Sequence, residues 1–259
     1  MKKTNLLAIG FAAGATVLLS PMGLQAGVLD SPHDFSTRSW NNSPSDPNSV
    51  CSPCHQAHTP THSGAAGSLV QLPIPLWNHD TSTGPWQMYN TNNVLASSMK
   101  ATPAPTPQGP SLACLSCHDG TIAINAYGAS GTNAPNRNPP EKIGAAGPQI
   151  GPDLTHTHPI SFTYDANLVG TGPNQDRWLF NPDTTQVLQP DSGVFVPGNN
   201  MTITGFLLSK NHQLECTSCH DVHNQEGSPW NIASNPKLVK IVGTQAGKGS
   251  LLCRSCHNK

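Results

Sequence analysis

Apolar positions are unevenly spread along the chain. One dense block, Leu6 to Leu19, follows Lys2 and Lys3 and ends shortly before Leu24-Gln25-Ala26. A basic start, an apolar centre shorter than the roughly 20 residues of a membrane span, and a small residue at the end mark an export signal. Residues 1–26 are read as a signal peptide and 27–259 as the mature chain. A membrane anchor is the competing reading, and the shortness of the block argues against it. Beyond residue 20 no apolar run is long enough to span a membrane, so no span is expected after signal removal.

In the mature chain the apolar groups are short and broken by proline, glycine and asparagine. "ATPAPTPQGP" (101–110) predicts an extended spacer. "GASGTNAPNRNPPEKIGAAGPQIGPD" (128–153) predicts a loop. "MTITGF" (201–206) and "PKLVKIVG" (236–243) predict short strands. The expected fold is mostly irregular coil with short helices and a few short strands.

Composition sharpens that picture. Only 10% of the 259 residues are charged, the formal net charge is −1, and there are 25 prolines and 23 glycines. Ordinary globular chains carry about 25% charged residues. Aromatic residues make up 5%. A compact core built from such a chain needs material other than side chains. No phosphate-binding glycine loop occurs, and no basic patch suited to nucleic acid.

The cysteines supply the missing element. All eight fall in C-x-x-C units followed at once by histidine: Cys51, Cys54 and His55; Cys114, Cys117 and His118; Cys216, Cys219 and His220; Cys253, Cys256 and His257. With 12 histidines in the chain, four such hits by accident have odds on the order of 10⁻⁵. Exported disulfides do not account for the histidine. Structural zinc calls for paired C-x-x-C units about 15 to 20 residues apart, whereas the first cysteines here lie 63, 102 and 37 positions apart. A thioredoxin-like site needs one C-x-x-C in a βαβ context.

Covalent haem attachment accounts for every residue. Two thiols join two vinyl groups of one porphyrin, and the next residue presents its imidazole to the iron. Four c-type haems, with proximal ligands His55, His118, His220 and His257, are expected in one domain over 27–259, with motifs at 51–55, 114–118, 216–220 and 253–257. The polypeptide is then expected to wrap a stacked haem chain, with a short helix at each motif.

Each iron needs a second axial ligand. The remaining histidines are His33, His58, His62, His79, His156, His158, His212 and His223, and the mature chain offers Met88, Met99 and Met201 in no suggestive setting. Two histidines at every iron is the favoured arrangement. His58 and His223 each follow a proximal histidine by three positions. Such pairs share one helix face, about 5 to 6 Å apart, and cannot reach opposite sides of one porphyrin. Each is therefore expected at a neighbouring haem. His158, beside Pro159 with Ile160 and Phe162 following, is a further candidate, as are His33 in "SPHDFS" and His79 in "PLWNHD". His62, His156 and His212 read as surface positions or as supports behind a ligand. Asp119 and Asp221, each directly after a proximal histidine, are candidates to orient an imidazole or to lie on a helix surface.

"SLACLSCHD", "LECTSCHD" and "SLLCRSCHN" share a Leu-x-Cys-x-Ser-Cys-His-Asp/Asn core and look like copies of one unit, while "VCSPCHQAH" differs. "HDFS", "CSPCHQAH", "PLWNHD", "CLSCHDGTIA", "HPISFTYD", "CTSCHDVH" and "LCRSCH", in this order, resemble the doubled-CxxCH multihaem c-type cytochromes. More narrowly, the chain is similar to the OmcE-type extracellular tetrahaem filament cytochromes. That resemblance implies histidine pairs at every iron, haems stacked in alternating parallel and T-shaped pairs, and one distal histidine taken from the next subunit. It points to His33, His58, His158 and His223 as distal ligands with His79 as substitute, and makes residues 170–200 an insertion.

The expected function is electron transfer along a haem chain in an exported protein, extracellular or at the cell surface, polymerised head to tail with copies of itself. Redox proteins or extracellular acceptors are its expected partners. A soluble periplasmic tetrahaem shuttle is the alternative. A multihaem reductase is a third reading, disfavoured because a surplus of histidines leaves no open iron, so no enzymatic activity is expected. Since haem supplies much of the core, the haem-free chain should be largely unfolded, and a folded circular-dichroism spectrum of apoprotein would contradict this.

Overall fold

In the computed structural model, the residues described are 27–29, 31–43, 46–55, 63–64, 68–69, 74, 76–89, 99–127, 141–144, 148–188, 201–223, 238–245 and 249–258. The expected signal peptide at 1–26 lies outside them. Regular structure among the described residues is sparse. It consists of antiparallel ladders of two residues per strand, four short α-helices and two 3-10 turns, Ala166–Leu168 and Lys210–His212. No described helix is long and apolar enough to cross a membrane.

The ladders pair β1 (Asn42–Ser43) with β2 (Asp46–Pro47), β3 (Ser63–Gly64) with β4 (Ser68–Leu69), β5 (Phe162–Thr163) with β6 (Gln213–Leu214), and β7 (Thr244–Gln245) with β8 (Gly249–Ser250). Three are local hairpins; β5 with β6 joins distant parts of the chain. The helices are α1 (Gly109–His118), α2 (Ile203–Phe206), α3 (Cys216–Cys219) and α4 (Leu251–Cys256).

Helix α1, ten residues long, starts with Pro110 in its first turn, where a missing N–H costs nothing. Just past its cap lies Gly120, whose φ of 74° suits glycine, and whose N–H bonds the Cys117 carbonyl at 3.1 Å. A side chain at Gly120 would also meet Gln149. Residues 101–108, ahead of α1, have no regular structure. They pack rather than span: the Ala104 N–H bonds the Ser161 carbonyl at 2.8 Å.

The main apolar core gathers Phe162, Tyr164, Leu168, Val187, Ile203, Leu207, Leu214, Ile241 and Leu251. Burial of a side chain of this size contributes about 1.5 to 3 kcal/mol. A smaller cluster, Met88, Leu115 and Leu154, lies under α1. The N-terminal segment is held mainly by polar contacts. Asn41, fully buried, accepts from the Tyr127 hydroxyl at 2.7 Å and donates to the Phe35 and Ser49 carbonyls. Glu141 accepts from the Trp40 indole N–H and pairs with Arg38 at 3.3 Å.

Three expectations are corrected, the first of them at the first motif, where residues 51–55 form a plain turn in place of the expected short helix. "MTITGF" is a helix, not a strand. Thr202 caps it by accepting from the Gly205 N–H at 3.1 Å, and Ile203 and Leu207, four apart, are both buried. That is the helical period, which the alternating Met-Thr-Ile-Thr pattern disguises. The described part of "PKLVKIVG" forms one bridge, Val239 with His220, because Leu238 takes a left-handed φ of 53°. Residues 170–188 pack against the rest of the fold: Val187 sits in the main core and Leu179 bridges His257.

Candidate haem-binding site

Each motif is one tight turn that carries its histidine out at the end. In the first, His55 N–H bonds the Cys51 carbonyl at 2.8 Å; in the third, His220 N–H bonds Cys216 at 3.0 Å; in the fourth, His257 N–H bonds Cys253 at 3.0 Å. The second motif occupies the last turn of α1. The shared serine before the second cysteine is buried in all three related motifs. Ser116 and Ser255 donate to the carbonyls four residues back, Leu112 at 2.8 Å and Leu251 at 3.0 Å. Ser218 accepts from the Glu215 N–H at 2.9 Å. Pro53 takes this position in the first motif, which has a plain turn and no helix.

A second device, absent from the sequence reading, braces three of the motif histidines. His55 bridges Trp77, His220 bridges Val239 and His257 bridges Leu179, all antiparallel. The carbonyl of the preceding cysteine accepts in each case: Asn78 N–H to Cys54 at 2.8 Å, Lys240 N–H to Cys219 at 2.7 Å, and Phe180 N–H to Cys256 at 2.9 Å. The only sequence signal is an apolar residue, Trp77, Val239 or Leu179, in a short extended run. His118 is held differently: its carbonyl accepts from Ile150 N–H at 2.7 Å, and its Nδ1 lies 2.9 Å from the Pro148 carbonyl.

Among the described residues, three motif imidazoles face a second imidazole from a distant part of the chain. His118 faces His33 with ring centroids 5.9 Å apart, His55 faces His223 at 6.2 Å, and His257 faces His158 at 6.3 Å. The interplanar angles are 59°, 22° and 73°. Two imidazoles on opposite sides of one metal, each about 2 Å from it through nitrogen, have centroids about 6 Å apart.

The protonation chemistry matches ligand duty. The Nδ1 atoms of His118 and His158 lie 2.9 Å from the carbonyls of Pro148 and Pro159. An Nδ1–H donated there leaves Nε2 as the free lone pair. Burial first, then the neighbouring His118 and His220, pushes His33 down to about 4, so its ring is neutral at ordinary pH. Its Nδ1 is buried without a hydrogen-bond partner.

His223 lies against the first motif's histidine. Asp221 accepts from its N–H at 3.0 Å and sits 3.9 Å from its Nδ1. Asp119 is buried and accepts from the Thr121 N–H and hydroxyl, both at 2.7 Å, so it orients a turn and does not lie on the helix surface. His79, buried, has its Nδ1 2.7 Å from the Asp80 carbonyl and its Nε2 3.5 Å from Cys117 Sγ. His212 pairs with Asp183 at 2.8 Å on the surface, and His156 is exposed. Phe162 belongs to the main core. His58 and His62 lie outside the described residues.

None of the eight cysteines is joined in a disulfide. Burial pushes the thiols of Cys54 and Cys219 up to about 11 and that of Cys256 up to about 12. Before any attachment such groups would be protonated thiols, unlike the low-pKa thiolates of nucleophilic cysteines. Among the described residues no three His, Cys, Asp or Glu side chains converge as ligands of a bare metal ion. No protein-family model matches the chain, and no curated protein matches it.

The backbone brace has a separable contribution. Lys240→Pro and Lys240→Ala both remove the ammonium, but only proline removes the N–H that the Cys219 carbonyl accepts. Lys240→Pro should be the less stable by about 1 to 3 kcal/mol in chemical denaturation.

Proposed function

We propose that the chain is an exported tetrahaem c-type cytochrome that carries electrons along a series of haems, each held by two histidines. The observation that carries this reading is the spacing of 5.9 to 6.3 Å between the imidazoles of His33 and His118, His55 and His223, and His158 and His257. Each pair joins a CxxCH histidine to a histidine outside that motif. Haem supplies the one-electron couple of its iron. The residues divide the remaining work. Cys51, Cys54, Cys114, Cys117, Cys216, Cys219, Cys253 and Cys256 provide the thioether links, and His55, His118, His220 and His257 the proximal nitrogens. His33, His158 and His223 provide distal nitrogens to the second, fourth and first motifs. For the third motif His58 is the assigned distal ligand and His79 the substitute.

A second imidazole facing three of the four motif histidines supports conduction over catalysis, because a reductase needs an open iron. Polymerisation outside the cell is the assembly we favour over a soluble periplasmic shuttle. With 10% charged residues and a formal net charge of −1, copies of the chain repel one another weakly. Leu29, Leu76, Ile150, Trp178 and Met201 are exposed apolar side chains available for contact.

Expressed with a c-type maturation system, the protein should have the mass of the chain from residue 27 plus four haems, no alkylatable thiol, and a low-spin spectrum. His223→Ala should turn the first haem high-spin and able to bind carbon monoxide, with the remaining haems unchanged. Carbon monoxide binding by the unaltered protein would remove the conduit reading. Electron microscopy of material sheared from producing cells should show thin filaments, whereas discrete particles under all conditions would favour the shuttle.

A further inference from the structure

A buried carboxylate lies between the second and third motifs. Glu215, the residue before Cys216, is 2% exposed. Its Oε2 accepts from the hydroxyls of Ser111, in a short hydrogen bond, and Ser161 at 2.9 Å. Its side chain also accepts from the Ser218 N–H in a reciprocal cap of α3. Both serines are themselves engaged. Ser111 Oγ accepts from the Cys216 N–H and Ser161 Oγ from the Gln108 N–H, each at 2.9 Å. Ser111 lies one turn before Cys114 on α1, so the two share a helix face. Ser161 takes a left-handed φ of 58°, uncommon for a residue other than glycine, and its N–H bonds the Leu214 carbonyl at 2.7 Å.

One carboxylate thus ties together the start of α1, the start of α3 and the junction of β5 with β6. The Cys114 and Cys216 side chains lie next to each other beside it. Burial pushes the Glu215 carboxyl up from its ordinary value, while the two serine hydroxyls pull it back. Motif attachment does not need this arrangement. The fourth motif forms its turn with Ser255 and no carboxylate at the corresponding place, Leu252.

We propose that Glu215 is a positioning residue that fixes the second haem relative to the third, and so governs electron passage between them. This rests on the tetrahaem reading above. The chain attaches each haem through its own motif. The distance and tilt between two attached groups depend on how rigidly their motifs are joined, and here the join is the carboxylate with its serine donors. Glutamine at 215 keeps one acceptor oxygen for the serines but turns an N–H₂ toward the remaining donor. Alanine leaves Ser111, Ser161 and the Ser218 N–H without their common acceptor.

The test compares full-length, haem-loaded wild type, Glu215→Gln, Glu215→Ala and a remote control, Asp183→Ala. Asp183 accepts from Thr204 and pairs with His212, each at 2.8 Å, on the surface. Mass and optical spectra count the haems and their spin state, and the Soret circular-dichroism couplet reads the orientation of neighbouring haems. Every variant should carry four low-spin haems. The couplet should lose most of its amplitude or invert in Glu215→Ala, change partly in Glu215→Gln, and stay as in wild type in Asp183→Ala. An unchanged couplet in Glu215→Ala overturns the proposal, as does an equal change in Asp183→Ala. If Glu215→Ala does not accumulate, Ser161→Ala removes a single donor and is judged by the same couplet. Wild type lacking four haems would fail the tetrahaem reading itself, before any variant is compared.

Discussion

Two imidazoles facing one another about 6 Å apart are a demanding arrangement for a polypeptide, because neither ring gains anything from the other directly. Their partners are remote in sequence: His33 with His118, His55 with His223, His158 with His257. Closing such long loops costs conformational entropy that grows only slowly with length. Fixing each ring within its loop costs more, and much of the described structure serves that end. Nδ1 contacts with backbone carbonyls orient His118 and His158. Antiparallel bridges hold the main chain at His55, His220 and His257.

Small polar residues carry a large share of the packing in this charge-poor chain. Asn41, Ser111, Ser116, Asp119, Ser161, Glu215, Ser218 and Ser255 are buried, and each holds a hydrogen bond that fixes local backbone or joins distant segments. A buried polar group is costly when unpaired and specific when paired. An apolar core tolerates sliding and repacking; a serine that must meet one carbonyl does not. The apolar cores are correspondingly limited, with the larger on the side of α2, α4 and the β5–β6 ladder.

The local units were legible in the sequence because their determinants are local. C-x-x-C-His is one helical turn long, and the serine shared by three motifs marks an inward position before any contact is known. The sparse regular structure likewise follows from proline and glycine content. What could not be read was long-range. Nothing near Trp77, Leu179 or Val239 announces that each bridges a motif histidine, because a bridge of one residue pair has no periodicity. Glu215 carries no signal of its role in the sequence, because its partners Ser111 and Ser161 are 104 and 54 positions away. "MTITGF" failed for a related reason. Four residues offer too little length to tell a period of two from one of 3.6, and the Thr202 cap decided it.

The order of the paired histidines along the chain has a topological consequence. The span from His33 to His118 overlaps that from His55 to His223, which overlaps that from His158 to His257. Every peptide bond between residues 33 and 257 is therefore bridged by at least one pair. With metal between the rings, a single protease nick anywhere in that stretch leaves two pieces still clasped together. On the tetrahaem reading the molecule would be a braid held at crossings, its continuity independent of an intact backbone.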